Sequence, residues 1–484
     1  MFKNDSNTKS PLTLRLRRYW RQRYLGRWQT SYLPRLTWPD KQFPRFVHQC
    51  PATMSFISWL RLLDWEKLPP PTQRNWFGRT PVPLAAYIGS YLVKLDQGLD
   101  STGKLRRFLV THPPLVWALG FPLVANLDAP HGFSANDSLP SRRHFNTVLS
   151  QLPNDILQSL LTAQVRRLQV VLPDEFGQTI SLDTKHILAW VKENNPRQYI
   201  KEGRYDKTRQ PVGDPDCKLG CKRSRNQHVK TPTKQAQAAD TLTIQDKEFY
   251  WGYASGAVVT KLPGWGEFVL AEMTDTFDKG DVRYFFPLMA QVEERLGFQP
   301  RYGALDAAFD AFYVYDYFHN PAHNGFAAVP LNQPNGKVRQ FNEEGTPLCD
   351  AGLAMPLRKT YTDRTKAIIS HQRAFYACPL LYPTATAEQC PTNHKQWSKG
   401  GCSVQIPTSP GARLRCQLDR DSEKYKQVYK QRTAVERIFS QAKALGIERP
   451  KLRHQRAITN QNTLIYLLIN LRALQRVFAK LDNQ

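Results

Sequence analysis

The stretch EFYWGYASGAVVTKL (248–262), followed by EFVLAEMT (267–274), decides the fold class of this 484-residue chain. Both runs are rich in aromatic and β-branched residues, and the Pro263–Gly264 pair between them is a turn signal. They predict two strands joined as a hairpin. Upstream of the hairpin, QTISLD predicts another strand, which ends at Asp183.

Downstream of the hairpin, segments of helical and strand character alternate. Their order is helix 281–297, strand 302–307, helix 310–320 and strand 325–332. Because an antiparallel hairpin is followed by alternating helices and strands, the order predicts a mixed α/β sheet. In that sheet the ends of two strands present Asp183 and Asp306.

The chain before the sheet is predicted to be helical from about residue 50 to 175, because apolar residues recur there at spacings of three and four. Ser141 is placed to cap a helix that begins at Arg142. Cations at that helix start are compatible with a helix-turn-helix reader of DNA and equally with an ordinary bundle. Residues 1–50 form a basic, aromatic-rich leader, suited either to phosphate contact with base stacking or to packing on the body.

The net charge of +26 and the isoelectric point near 9.8 favour a polyanionic partner, and nucleic acid is the commonest one. Residues 1–50 hold eleven Lys or Arg against two acids, and residues 420–456 hold eleven against four. No apolar run approaches the roughly 18 residues of a membrane span, and no signal-peptide pattern is present. With eight cysteines and no secretory signal, we expect a soluble cytoplasmic protein with reduced thiols.

The segment YKQRTAVERIFSQAK (429–443) has an unusual distribution of charge. Tyr429, Arg432, Glu436 and Lys443 stand at offsets of 0, 3, 7 and 14. On an α-helix these offsets fall within an arc of about 60°. One carboxylate beside cations and a phenol suits the binding of a divalent metal next to a phosphate. The alternative is a solvated helix face with ion pairs four residues apart.

Three carboxylates from separate segments complete the candidate chemistry. Asp183 and Asp306 close apolar strands, where a carboxylate is costly unless it is paired or bound to a cation. Together with Glu436 they would repel one another, and two Mg²⁺ ions, with Mn²⁺ as the alternative, would remove that repulsion. Such a metal pair activates a water or a 3′-hydroxyl and stabilises the leaving oxygen of a phosphodiester. For Asp183 alone, a strand-end cap is the simpler reading.

The other side chains of the segment would then contact DNA. Arg432 would bind a backbone phosphate through its bidentate fork and Lys443 as a point charge, while Tyr429 donates a hydrogen bond. Asp310, near the second aspartate, is assigned to a helix start rather than to catalysis.

The spacing Tyr-x2-Arg-x3-Glu-x6-Lys resembles the signature of bacterial insertion-sequence transposases of the DDE class, whose catalytic core is RNase H-like. Asp183 and the LDAAFD segment at Asp306 stand in the places of that family's two aspartates. Residues 83–150 resemble the helical N-terminal domain common in these proteins. The family often has Gly and Tyr where this chain has Ala308 and Phe309, and the first 80 residues match no part of it.

The resemblance implies a domain organisation and an activity. It implies an RNase H-like core in 176–332 and 419–484, a helical DNA-end-binding domain in 51–175, and a cysteine-containing insertion in 333–418. The implied activity is cut-and-paste DNA transposition, with endonuclease cleavage at the terminal repeats and transesterification into double-stranded target DNA. Synapsis of two ends implies at least a dimer on DNA, with the 457–481 helix as one contact or simply packed on the core. The rivals are an inactive regulatory copy that binds ends, and an RNase H-like nuclease without strand transfer.

The cysteines suggest a possible structural zinc site. The Cys₃His set consists of Cys378, Cys390, His394 and Cys402, with Cys349 and Cys416 as alternates. Because the spacings lack tight C-x2-C pairs, buried free thiols are the competing interpretation.

Two further segments complete the chain. The polar, proline-rich residues 192–246 predict a long loop, which holds a weaker metal set of Cys217, Cys221 and His228. The C-terminal run from Ile458 to Leu481 predicts a strongly amphipathic helix.

Overall fold

The computed structural model describes residues 33–70, 82–195, 205–223, 247–322, 324–332, 338–364 and 368–483. Most of the basic leader, residues 1–32, lies outside the described residues. His228 does too, so the set of Cys217, Cys221 and His228 is not described as a whole.

A mixed sheet of six strands forms the centre of the molecule. The strands are β1 Thr179–Leu188, β2 Lys218–Arg223, β3 Lys247–Leu262, β4 Gly266–Thr276, β5 Tyr302–Leu305 and β6 Phe326–Ala328. The long strand β3 pairs antiparallel with β1 on one side and with β2 and β4 on the other. β5 runs parallel to β1, and β6 parallel to β5. The predicted mixed α/β sheet is confirmed, and its order β4–β3–β1–β5–β6 is compatible with an RNase H-like core.

One strand boundary differs from the prediction at the position that matters most. β1 continues five residues beyond Asp183, to Leu188, so the prediction that the strand ends at Asp183 is wrong. The reason is that β3 continues to pair with β1 as far as Gly252, whereas the parallel pairing with β5 stops at Leu182. Asp183 therefore lies where the parallel half of the sheet opens.

The described chain between residues 45 and 171 is helical, as predicted. Its helices are α1 Arg45–His48, α2 Pro51–Leu60, α3 Leu84–Asp96, α4 Thr102–Val110, α5 Pro113–Leu119, α6 Ala135–Ser138, α7 Arg142–Gln151 and α8 Asn154–Val171. The predicted cap at Ser141 is confirmed, because its Oγ accepts a hydrogen bond from the His144 backbone N at 3.2 Å.

The remaining elements cover and extend the sheet. The helices are α9 Phe285–Leu296, α10 Phe312–Phe318, α11 Pro410–Gln417, α12 Glu423–Tyr429, α13 Thr433–Ala444 and α14 Gln455–Leu481. A second, three-stranded antiparallel sheet lies within the segment predicted as an insertion. Its strands are β7 Leu357–Asp363, β8 His371–Tyr376 and β9 Val404–Pro407.

Helix α14 is buried on all its faces over most of its length, so the prediction of a strongly amphipathic helix is wrong. It contacts β4 of the sheet and α3, α7 and α8 of the N-terminal helices. Its buried polar residues have hydrogen-bond partners on the sheet and on the N-terminal helices. The Asn470 side chain bonds both the N and the O of Val269, at 2.9 and 2.8 Å, and Asn462 donates to Thr274 Oγ1 at 2.8 Å. Within the described residues, α14 thus packs on the core and joins the helices to the sheet.

Candidate active site

The sheet register places Asp183 and Asp306 side by side. Leu182 of β1 pairs with Leu305 of β5 in parallel, and the two aspartates are the next residues on their strands. Asp306 immediately follows β5, and its Oδ1 accepts a hydrogen bond from the Ala308 backbone N at 2.9 Å. The two segments singled out in the sequence are therefore brought together.

Both aspartates lie where a negative charge is poorly stabilised. Burial raises the pKa of Asp183 to about 7, helped by the neighbouring carboxylates of Asp306 and Asp281. The pKa of Asp306 is also raised, again by burial first. The Thr184 backbone N donates to Asp183 at 2.7 Å and opposes this shift only in part. A cation bound between the aspartates would offset the desolvation cost of burying their charges and the repulsion between the two carboxylates.

Asp281 is a nearby carboxylate that the sequence analysis missed. It begins the short 3-10 helix Asp281–Tyr284 after β4, and its Oδ1 accepts a hydrogen bond from Thr184 Oγ1 at 2.6 Å. Its charge raises the pKa of both Asp183 and Asp306. The signal for Asp281 in the sequence is weak, because Asp275, Asp278 and Asp281 follow one another closely and no pattern distinguishes them.

Arg432 joins the third predicted carboxylate to the pair. Its Nη2 lies 2.6 Å from Glu436 Oε1, and its Nη1 lies 3.9 Å from Asp183 Oδ2. Glu436 is on α13, which buries Val435, Ile438 and other apolar residues while the Glu436 side chain stays half exposed. One guanidinium therefore lies between the helix carboxylate and the sheet carboxylate.

The donor set suits a hard divalent cation. Asp183, Asp306 and Glu436 offer only carboxylate oxygens, the ligands that Mg²⁺ and Mn²⁺ prefer. Their oxygens do not all lie within 4.8 Å of one another, and Glu436 is paired with Arg432. The sheet holds the two aspartates beside each other, whereas Glu436 is paired with Arg432.

The segment 429–443 is not one continuous α-helix, contrary to the prediction. α12 ends at Tyr429, a 3-10 turn spans Lys430–Arg432, and α13 begins at Thr433. Thr433 Oγ1 donates to the Lys430 backbone O at 3.1 Å, a local bond of the kind that competes with helical pairing. The turn contacts β1 and β5, which brings Arg432 to the aspartates.

The other two residues of the signature have different neighbours. The Tyr429 ring stacks on Tyr425, with ring centroids 5.8 Å apart. Lys443 Nζ lies 3.4 Å from Glu448 Oε2, and the other oxygen of Glu448 lies 2.6 Å from Lys185 Nζ. Both lysines are therefore held beside one carboxylate, at the end of α13 and on β1.

Asp310 has a structural environment, in keeping with its assignment outside catalysis. Its buried carboxylate receives two bonds from the Arg415 guanidinium, at 2.7 and 2.5 Å, and one from Tyr315 Oη at 2.9 Å. Since Arg415 lies on α11, Asp310 fastens the segment before α10 to the chain that follows the second sheet.

The cysteines do not form the compact set proposed for zinc. Cys378, Cys390, His394 and Cys402 do not bring three ligand atoms within 4.8 Å of one another. Burial and the neighbouring thiols of Cys378 and Cys349 raise the pKa of Cys402 to about 12. The thiols of Cys349, Cys378 and Cys402 therefore lie near one another, and zinc at this position stays a prediction.

Comparison with known proteins supports a DDE-type transposase. The family model described as a transposase DDE domain matches residues 345–471, a range that includes Glu436 and α13 but begins after Asp183 and Asp306. No curated protein matches the chain. Across the part of the chain that the structure describes, no helix is long and apolar enough to cross a membrane.

Proposed function

We propose that this chain is a cut-and-paste DNA transposase of a bacterial insertion sequence, with Asp183, Asp306 and Glu436 as its metal ligands. The observation that carries the proposal is that Asp183 and Asp306 directly follow the last parallel pair of β1 and β5, with the Arg432 guanidinium between Asp183 and Glu436. Raised carboxylate pKa values in an accessible site are typical of catalytic centres. The transposase domain match adds independent support.

In this proposal the carboxylates of the chain bind the metal ions, and its Arg, Lys and Tyr side chains bind the DNA backbone. Mg²⁺ ions, when bound, activate a water or a 3′-hydroxyl for attack on a phosphodiester. Arg432 occupies the space between Asp183 and Glu436, and it exchanges these carboxylates for a DNA phosphate, which its fork binds in the same bidentate way. Lys443 and Tyr429 add a point charge and a hydrogen-bond donor to the DNA backbone.

A basic cavity, whose lining contains neither the two aspartates nor Glu436, also supports DNA binding. The cavity, of about 370 Å³, lies between the N-terminal helices and the chain that follows α13. Arg142, Arg449 and Lys451 line it together with the Trp190 ring and the nearly buried Lys94. Burial lowers the pKa of Lys94 to about 8. We propose that an element end enters here, and that its affinity falls steeply with salt as phosphate contacts do.

The proposal is tested by incubating the full-length protein and Mg²⁺ with DNA that carries the element's terminal repeats. Wild type is expected to cleave at the repeat ends and to join the freed 3′ end to target DNA. Glu436→Gln is expected to bind the ends without cleaving them. Glu267→Gln is the matched control, because Glu267 pairs with Arg437 away from the aspartates.

Each rival function has its own outcome in this assay. Binding of ends by wild type without any nick would support a regulatory DNA-binding copy. Nicking without joining would support an RNase H-like nuclease. We also propose at least a dimer on paired DNA ends, in the cytoplasm, and short inverted repeats flanking the gene. Light scattering of the protein–DNA complex measures the subunit number.

A further inference from the structure

A second group of metal-binding side chains lies apart from the aspartates of β1 and β5. Asp214 and Asp216 belong to the segment that leads into β2, and His454 immediately precedes α14. One potential ligand atom from each of the three side chains lies within 4.8 Å of the others. Two segments far apart in the sequence thus bring two carboxylates and an imidazole to one point.

Asp214 is the observation that points to a ligand. Its side chain is fully buried, and its Oδ1 accepts hydrogen bonds from Tyr253 Oη at 2.8 Å and from the Asp216 backbone N at 3.3 Å. Its Oδ2 is buried as well and has no hydrogen-bond donor among the described residues. No described Lys, Arg or His nitrogen lies within 4.0 Å of this carboxylate. A buried carboxylate oxygen without a partner is costly, and a bound cation would satisfy it.

The other two ligands leave an entrance from solvent. Asp216 Oδ2 accepts from the Gln455 backbone N at 3.0 Å and lies 3.5 Å from His454 Nδ1. The side chains of Asp216 and His454 are 42% and 55% exposed, so an ion can reach the buried Asp214 past them. The nearby Arg453 does not take the ion's place, because its guanidinium lies over the Trp190 ring, 5.2 Å from the ring centroid.

We propose that Asp214, Asp216 and His454 bind one divalent transition-metal ion, Zn²⁺ or Mn²⁺, and that this ion fastens the segment before β2 to the start of α14. An imidazole with two carboxylates suits these ions better than Mg²⁺ or Ca²⁺, which prefer all-oxygen sites. Three protein ligands leave at least one position for water. Because α14 runs through the shared core, the ion stabilises the fold and takes no part in the chemistry at Asp183.

The test is a calorimetric titration of metal-free, full-length protein with Zn²⁺ and, separately, with Mn²⁺. All proteins carry Asp183→Asn, which removes a proposed ligand of the other centre. The parent is expected to bind one ion, and its melting temperature is expected to rise with the metal. Asp214→Asn and His454→Gln are each expected to weaken binding at least tenfold and to lose the thermal shift.

Two controls make the result decisive. Asp206→Asn changes a partly exposed aspartate of the same segment that bonds to Thr208 and pairs with Arg209, and it is expected to bind like the parent. Since His454 is half exposed, His454→Gln keeps the fold even if the buried Asp214→Asn does not. Equal affinity in the parent and His454→Gln overturns the proposal, as does no binding by the parent. Loss of the ion with Cys402→Ser, but not with His454→Gln, would assign it to the cysteines and also overturn the proposal.

Discussion

Asp183 on β1 and Glu272 on β4 are two carboxylates whose pKa values are raised to about the same level but whose surroundings differ. Both are in register with Ala257 of β3, so they lie in one row of the sheet. Burial raises the pKa of each to about 7. Glu272 is fully buried and accepts hydrogen bonds from Thr463 Oγ1 at 2.6 Å and Gln158 Nε2 at 2.5 Å. The Asp183 side chain is 23% exposed and faces other carboxylates.

The comparison shows that a raised pKa does not by itself identify a reactive group. Glu272 belongs to a network closed by α8 and α14, in which the Arg295 guanidinium also bonds to Gln158, at 2.6 Å. Both hydrogen bonds to Glu272 end on Oε1, and Oε2 is buried without a partner, so it is full enclosure and not complete pairing that keeps ions from this carboxylate. At Asp183 the partners supplied are one backbone N–H and a guanidinium shared with Glu436. Access to solvent and the presence of neighbouring carboxylates are what distinguish the Asp183 site from the core network of Glu272.

The largest expected effect is on the rate of DNA cleavage, which should depend on Asp183 and not on Glu272. Asp183→Asn, Asp306→Asn or Glu436→Gln is expected to lower the rate of strand cleavage by about 10³-fold or more, since each removes a proposed metal ligand. Glu272→Gln is expected to stay within about threefold of wild type in the same assay, because the residue lies in a closed network. Single-turnover cleavage of an end-bearing DNA measures both. A Glu272→Gln protein that folds but no longer cleaves DNA would contradict the assignment of Glu272 to a structural role.

The sequence predicted the parts of this site that depend on local pattern. The hairpin of β3 and β4 and the strand β5 before Asp306 follow from hydrophobic runs and turn residues, and the helix that carries Glu436 follows from the spacing of its polar residues. It did not predict that β1 runs past Asp183, because that depends on pairing with a distant strand. Nor did it predict that α14 is buried on all sides, since its asparagines find hydrogen-bond partners only in the folded sheet and in the N-terminal helices.

The second effect is on the stability of the fold, where the loss is expected to be larger at Glu272 than at Asp183. Glu272→Ala is expected to lower the free energy of unfolding by about 2–3 kcal/mol, because Thr463 and Gln158 lose a buried acceptor and Arg295 loses a nearby charge. Asp183→Ala is expected to cost less than about 1 kcal/mol, since it also removes repulsion between carboxylates. Urea unfolding of metal-free protein gives both values. Equal losses would mean that Asp183 is as much a part of the core as Glu272.

The third prediction concerns Asp281, the neighbour that raises the pKa of Asp183. Asp281→Asn is expected to shift the rising limb of the pH–activity curve to lower pH by up to about one unit, because a repelling charge is removed. Thr184→Val removes the hydrogen bond to Asp281 without changing a charge, and it is expected to shift the curve less. Cleavage rates measured from pH 5.5 to 8.5 at fixed Mg²⁺ test this. A shift of the same size in both variants would indicate a structural effect of the Thr184–Asp281 contact.

The smallest effect is the pH dependence of stability that Glu272 contributes. Its pKa rises from an ordinary 4.5 to about 7 on folding, so the folded state holds the proton more tightly. This contribution to stability is fully present below about pH 4.5 and is lost as the pH rises through 7, with a slope of at most about 1.4 kcal/mol per pH unit. Glu272→Gln is expected to flatten that part of the curve in thermal melts between pH 4.5 and 8. Mg²⁺ is expected to leave the Glu272 contribution unchanged, because no ion can enter its network, whereas at Asp183 it would replace the proton. A slope at Glu272 that responds to Mg²⁺ would show that the network is open to ions.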